Sequence, residues 1–136
     1  MRPGLRRRRR GEVGAVVEFV TLVPIFFLLF VLGVVQVVIM TVGGYVAAEA
    51  AQRGVDAARI VGGTIPAGAR DANDVLHSLG TDLLTAPSVR LTRVVVDGHP
   101  AIHADVDAGV VQIIPWPFHV HEVYEARVEQ ATAEGP

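Results

Sequence analysis

Two pairs of side chains in the C-terminal part of the sequence have types and spacing that could support chemistry. His119 and His121 alternate along the chain, as do Asp105 and Asp107, so each pair would share one face of a β-strand. Histidines could bind a metal ion, and paired carboxylates could do general acid–base work. The possible third metal ligands are His99, His103 and Glu122. Because this spacing is common and nothing fixes a third ligand, we favour a solvated strand face.

Other signs of catalysis are missing from the sequence. Arg127 and Glu129 also share a strand face, but the chain has no Gly-rich phosphate loop, nucleophile elbow or helical metal motif. It contains no cysteine, which excludes a disulfide framework and thiol chemistry. We therefore expect a protein that is not an enzyme and that has no catalytic residues, metal or cofactor.

A lone carboxylate, Glu18, borders the longest apolar run of the chain. From Phe19 to Val42, 24 consecutive residues include no Asp, Glu, Lys, Arg or His. A helix of this length rises about 36 Å, which exceeds the roughly 30 Å hydrocarbon core of a bilayer. The sequence predicts a transmembrane helix over residues 14–42. Pro24 within it would be tolerated where a neighbouring helix compensates for the missing hydrogen bond.

The distribution of charge predicts which way this helix crosses the membrane. All twelve basic residues are arginines, and six of them lie in the first ten positions. Arginines beside a membrane segment stay in the cytoplasm, so residues 1–13 would be a cytoplasmic tail. Residues 43–136 carry six arginines and twelve acidic residues, a net charge of −6 with neutral histidines. Because the basic tail has no interleaved aromatic residues, we do not expect nucleic-acid binding.

A secretory signal sequence is the alternative interpretation of the N-terminal region. The stretch YVAAEA after the apolar run contains small residues at which a peptidase could cut, giving a secreted binding protein that starts near Glu49. Signal-peptide cores are about 7 to 15 residues long, shorter than this run. An anchor in the cell membrane, with the C-terminal domain outside, is therefore favoured.

The rest of the sequence predicts an α+β domain over residues 43–136. Helix formers continue to about residue 61, where Gly62, Gly63 and Pro66 indicate a stop, and a short helix is expected at about 69–85, closed by Pro87. Alternating patterns then predict strands over about 89–131, with a hairpin at Asp97-Gly98. Further strands are expected at about 109–114 and 118–131. The long N-terminal helix, its first half transmembrane, would cover a small antiparallel sheet.

Small residues recur in the part of the long helix that follows the apolar run. Four-residue spacing of such residues allows helices to approach closely. They could serve packing on the chain's own sheet or association into a homo- or hetero-oligomer, and both uses remain open. The residues are Gly44, Ala47, Ala48, Ala51, Gly54 and Ala58.

The N-terminal pattern resembles that of TadE-like proteins, the pseudopilins of the tight-adherence (Flp-type) pilus assembly system. These proteins combine a basic tail, a glycine, a glutamate followed by an aromatic residue or leucine, and a proline six residues after the glutamate. Glu18, Phe19 and Pro24 match this spacing. AAEAAQRGVDAARI, with its Ala58-Arg59 pair, is similar to the family's Ala-rich stretch, and YEARVEQ is similar to its closing strand.

This resemblance implies a pilin-like membrane protein that takes part in pilus assembly and the associated secretion. It also implies that Glu18 interacts with the N-terminal amine of a neighbouring subunit after a prepilin peptidase has cut next to a glycine. Such pairing would make a carboxylate at the lipid border tolerable.

The processing region of this chain departs from the family pattern. The glycine before the cut usually lies five residues before the glutamate, a position that Val13 occupies here, while Gly14 is one residue too close. Either the peptidase accepts a shifted register, or the chain is not cut and remains a single-pass anchor. We favour the second interpretation.

Overall fold

The computed structural model describes the backbone of residues 10–129 and the side chains of residues 18–129. The strands of this range form one antiparallel sheet in the order β1-β2-β3. The predicted α+β fold, a long N-terminal helix packed on a small antiparallel sheet, is confirmed. Its elements over residues 10–129 are α1 (Arg10–Arg59), α2 (Ile65–Leu79), β1 (Leu84–Val96), β2 (His99–Val110) and β3 (His119–Arg127).

The chain divides into two compact units, with the boundary between Val35 and Gln36. In its described part, the first unit consists of α1 up to Val35. The second unit contains the remainder of α1, together with α2 and the sheet. Residues 36–42, predicted as part of the transmembrane segment, thus belong to the unit that carries the sheet. Most of the predicted tail, residues 1–9, lies outside the described residues.

The core of the second unit lies between one stripe of α1 and the inner face of the sheet. Buried residues of α1 recur at three- and four-residue spacing, and β2 contributes every second residue from Ile102 to Val110. The helix side of this core is mostly alanine, so the sheet can approach the helix axis closely. At Gly43, an added Cβ would lie only 3.2 Å from Leu84 Cδ2.

Helix α2 crosses α1 where glycines leave room for backbone contact. A Cβ added to Gly68 would collide with the Gly54 carbonyl oxygen and would lie 2.9 Å from the Ala58 Cβ. A Cβ added to Gly54 would lie 3.0 Å from the Ala72 Cβ. The spacing of these two helices therefore depends on the absence of side chains at the crossing.

The short helix begins and ends earlier than the predicted 69–85. The Thr64 side chain caps its first turn by accepting a hydrogen bond from Ala67 N at 3.2 Å, and Pro66 fits in that turn. At the other end, Gly80 N donates to Leu76 O at 2.9 Å. Pro66 therefore belongs to the start of α2, and the stop that Gly62, Gly63 and Pro66 indicated for the long helix agrees with the end of α1 at Arg59.

The sheet agrees with the predicted hairpin and differs in its strand limits. Asp97 and Gly98 have φ angles of 51° and 78°, which are typical of a tight two-residue turn, so this prediction is confirmed. β1 starts at Leu84, and Pro87 lies at a bulge inside it rather than closing α2. The separate strand predicted at 109–114 is wrong, because β2 ends at Val110 and β3 starts only at His119.

We expect Gly68→Ala to lower the free energy of unfolding by about 2–3 kcal/mol. The added methyl group would meet the backbone of α1, which cannot rotate away as a flexible side chain could. Urea unfolding of the full chain in detergent, followed by near-ultraviolet circular dichroism, measures the change.

Gly44→Ala is the matched control for this substitution. An added Cβ there would meet Glu122 Oε1 at 3.7 Å and Val120 Cγ1 at 3.9 Å, which are ordinary contacts. Replacing glycine inside a helix should then stabilise the protein by about 0.5–1 kcal/mol. Equal stability of Gly68→Ala and the unchanged chain would contradict the close crossing of α1 and α2.

Candidate functional site

Glu18, Phe19 and Pro24 all lie on α1 at the N-terminal border of its apolar segment. Glu18 is exposed, and Phe19 is 69% exposed. The helix continues through Pro24, whose ring nitrogen cannot donate the usual hydrogen bond to the preceding turn. Val13 and Gly14, the predicted processing region, have helical backbone, and their side chains lie outside the described residues.

The apolar segment exposes side chains all around the helix. Every residue from Glu18 to Val31 is exposed. A helix of a soluble domain would hide one side, whereas exposure of apolar residues on all sides suits a lipid environment. Near the N-terminus α1 is long and apolar enough to cross a membrane, with a mean hydropathy of 2.9 over its best window, of which 6% is buried. By length and composition it fits an anchor or a signal sequence.

Gln36 marks the point where α1 enters the folded second unit. Its side chain is 2% exposed. Its Nε2 donates to Val111 O at 3.3 Å, and its Oε1 accepts from Ile113 N at 2.9 Å. One side chain of the helix thus satisfies two backbone groups of the loop between β2 and β3. The amide would be costly in an apolar run without these partners.

Most of the small residues predicted for helix packing lie in the chain's own core. Ala47 and Ala51 are fully buried, Ala58 is 3% exposed, and Gly54 is buried at the crossing with α2. A second copy of the chain cannot reach these four positions. Of the two uses left open for the small residues, these four serve packing within the chain, because the sheet and α2 occupy that surface.

The other two small residues line an open groove between α1 and β3. Gly44 and Ala48 are partly exposed. Tyr45, also on the groove, is 72% exposed. The groove is lined by Met40, Thr41, Gly44, Tyr45, Ala48, His119, Val120, His121 and Glu122.

The outer face of the sheet brings His121, one of the histidine pair, beside both aspartates. His121 Nδ1 lies 3.3 Å from Asp105 Oδ1 and 3.9 Å from Asp107 Oδ2. His103 Nδ1 lies 3.3 Å from Glu125 Oε2 on the neighbouring strand. These side chains are partly or largely exposed to solvent. Among the described residues, no group of three or more His, Cys, Asp or Glu is arranged to hold a metal ion.

The structure joins two distant segments that carry the family resemblance. Arg59, at the end of α1, bonds Asp56 Oδ1 at 2.8 Å and reaches Glu129 Oε1 at 3.5 Å. Its carbonyl oxygen accepts a hydrogen bond from Glu129 N at 3.0 Å. Arg59 of the Ala58-Arg59 pair and Glu129 of the YEARVEQ stretch thus meet just after β3, and the contact joins the end of the sheet to the end of α1.

No family model matches this chain, and neither a curated protein nor a solved structure matches it. The TadE-like resemblance therefore rests on the sequence motifs and remains a prediction.

Sequence reasoning missed Gln36 and the loop that it holds. Between Phe19 and Val42, Gln36 is the one amide side chain, and the other polar side chains are the smaller hydroxyls of Thr21 and Thr41. A large polar side chain inside an apolar run indicates that the side chain is buried and hydrogen-bonded, and this signal was available in the sequence. The sequence could not show its partners, which lie 75 and 77 residues away.

We expect Gln36→Leu to destabilise the second unit by about 1–3 kcal/mol, because it leaves Ile113 N–H without its acceptor. Amide hydrogen exchange of the full chain in detergent should show faster exchange at Ile113. Gln52→Leu is the control, since Gln52 lies on the same helix and is exposed. Equal exchange at Ile113 in the two variants would contradict the role given to Gln36.

Proposed function

We propose that this chain is a membrane-anchored, TadE-like protein that acts without catalysis in assembly of a tight-adherence (Flp-type) pilus and the associated secretion. It would work by association of α1 with other pilin-like subunits or with the assembly platform in the membrane. The observation that carries the proposal is the exposure of apolar side chains on every side of α1 from Phe19 to Val31, with Glu18 at the border.

The folded second unit supports an anchor over a cleaved signal sequence. This unit begins at Gln36, inside the apolar run. A cut near Glu49 would remove the Gln36 hydrogen bonds, together with Gly43, Val46 and Ala47, which are buried in the second unit. A secreted form starting near Glu49 would lose part of its own core, so retention of the helix is the more stable arrangement.

The charge distribution supports an orientation with the N-terminus inside and the C-terminal unit outside. The arginine-rich first ten residues would stay in the cytoplasm, and the acidic remainder after Val42 would be exported. The second unit would then lie on the outer side of the cell membrane, where it could contact a growing filament.

Glu18 supplies the recognition step in this proposal. Its carboxylate is exposed at the edge of the apolar segment, where an ion is costly unless a cation pairs with it. A cationic group of a neighbouring subunit would pair with it and set the relative height of the two helices. That group is a new N-terminal amine if the subunits are processed, and an arginine or another amine if they are not.

The surfaces left for association follow from what the core already uses. Ala47, Ala51, Gly54 and Ala58 are unavailable, because they pack within the second unit. The apolar side chains before Val35 remain for contacts within the membrane. Outside the membrane, the groove beside Gly44 and Ala48 remains accessible.

Glu18→Gln should leave the chain inserted in the membrane and reduce co-purification with pilin-like subunits or platform proteins by about tenfold or more. Loss of a pairing worth about 1.4 kcal/mol has that effect on an equilibrium. Detergent extracts of the native cells, analysed by affinity capture and mass spectrometry, provide the comparison.

Glu49→Gln is the control for the loss of a helix carboxylate. Glu49 lies on the same helix beyond the apolar run and pairs with Arg53 at 2.8 Å, where solvent screens the pair. The Glu49→Gln variant should co-purify with the same partners as the unchanged chain, at the same yield. If Glu18→Gln retains the same partners at the same yield, the recognition role of Glu18 is wrong.

The cysteine-free sequence allows a direct test of orientation. A single cysteine at Thr92, exposed on the outer face of the sheet, should react with a membrane-impermeant maleimide in intact cells. A single cysteine at Leu5 should react only after the membrane is permeabilised. The reverse pattern would overturn the orientation, and a Thr92→Cys protein released into the medium would support secretion instead.

A further inference from the structure

We propose that the loop between β2 and β3, residues 111–118, is a second membrane contact that rests in the lipid surface and fixes how the second unit stands on the bilayer. We call this segment the Trp116 loop. The inference rests on the proposed membrane anchor and adds to it a docking site whose partner is lipid.

The Trp116 loop is apolar although it is exposed. Its sequence, VQIIPWPF, contains no charged residue and one polar side chain. Trp116 is 66% exposed, Ile113 42% and Val111 37%. Loops at a protein surface are usually polar, and a group of exposed apolar side chains marks a contact with another apolar phase.

The backbone of the loop is adapted to an environment poor in water. Three of its amides donate within the chain: Val111 N to Leu83 O at 2.9 Å, Ile113 N to Gln36 Oε1 at 2.9 Å, and Trp116 N to Ile114 O at 2.7 Å. Pro115 and Pro117 have no N–H to satisfy. Five of the eight loop positions therefore bring no unpaired backbone N–H to a lipid surface, where such a group would be costly.

The position of the loop follows from the Gln36 hydrogen bonds. They hold Val111 and Ile113 against α1 at the first residue of the second unit. Gln36 itself lies within the apolar run of the sequence, six positions before its end at Val42. The loop is therefore held beside the part of α1 that the sequence predicts to lie in the membrane.

The side-chain chemistry favours lipid over a protein partner. Tryptophan is enriched at membrane–water interfaces, where its ring is apolar and its N–H can still bond to headgroups or water. Next to the loop on α1, Val37 and Val38 are 61% and 54% exposed, which extends the apolar surface around Gln36. A lipid surface covers all these side chains without requiring a complementary shape.

Trp116 is the single tryptophan of the chain, so its fluorescence reports on the loop directly. The full chain is reconstituted into phosphatidylcholine vesicles that contain lipids brominated either near the headgroup or near the end of the acyl chain. We expect emission shifted to shorter wavelength, strong quenching by the shallow bromines and weaker quenching by the deep ones. Aqueous iodide should quench Trp116 poorly.

The control places a tryptophan at the opposite end of the sheet. Val95 is 74% exposed and lies beside the Asp97-Gly98 hairpin, roughly 36 Å from the loop by the rise of β2. In a Trp116→Phe, Val95→Trp double variant, the tryptophan should be quenched by iodide and not by either brominated lipid.

The outcomes separate this inference from the proposed anchor. Flotation of the vesicles after alkaline washing tests the anchor alone, and a chain that fails to float overturns both ideas. A chain that floats while Trp116 is quenched by iodide overturns the loop contact and leaves the anchor intact. Trp116 shielded from iodide but insensitive to brominated lipid would mean that protein covers the loop, which also overturns the proposal.

Discussion

The second unit depends on how closely α1 approaches the elements packed on it. Small residues on one stripe of the helix allow this approach, and at two places there is no room for a Cβ without displacement of the neighbour. Gly68 meets the backbone of α1 at Gly54, and Gly43 lies under Leu84 of the sheet. Close approach increases the dispersion contacts of each buried residue, which matters for a core whose helix side is mostly alanine.

This packing limits what the same helix can do with other molecules. A stripe of small residues suggests helix association, but here the stripe faces inward and is already filled. In the proposed association, specificity toward a partner would therefore come from residues that the core does not use. The exposed carboxylate of Glu18 and the apolar side chains after it meet that requirement, as does the groove beside Gly44 and Ala48.

The sequence predicted the parts of the fold that depend on local patterns. The length of α1, the Asp97-Gly98 hairpin and the alternation of β2 follow from apolar periodicity and turn chemistry. Errors arose at the limits of α2. It begins at Ile65 because Thr64 caps it and Pro66 fits its first turn, and Pro87, expected to close it, is accommodated by a bulge in β1. Contacts between distant parts of the chain could not be predicted, because no local pattern connects Gln36 with Val111 or Arg59 with Glu129.

Glu18 and Gln36, two polar side chains near the ends of the apolar segment, differ in burial and in hydrogen bonding. Gln36 is buried, and both ends of its amide are bonded inside the second unit. Glu18 is exposed, and it forms no ion pair with any residue from 18 to 129. They lie 18 positions apart on α1. A polar group that is satisfied internally fixes structure, whereas an ion at a lipid border favours any arrangement that brings it a cation. Gln36 therefore stabilises the fold by holding the loop after β2 against α1. Glu18 is the position at which pairing with a partner's cation would lower the free energy of the protein.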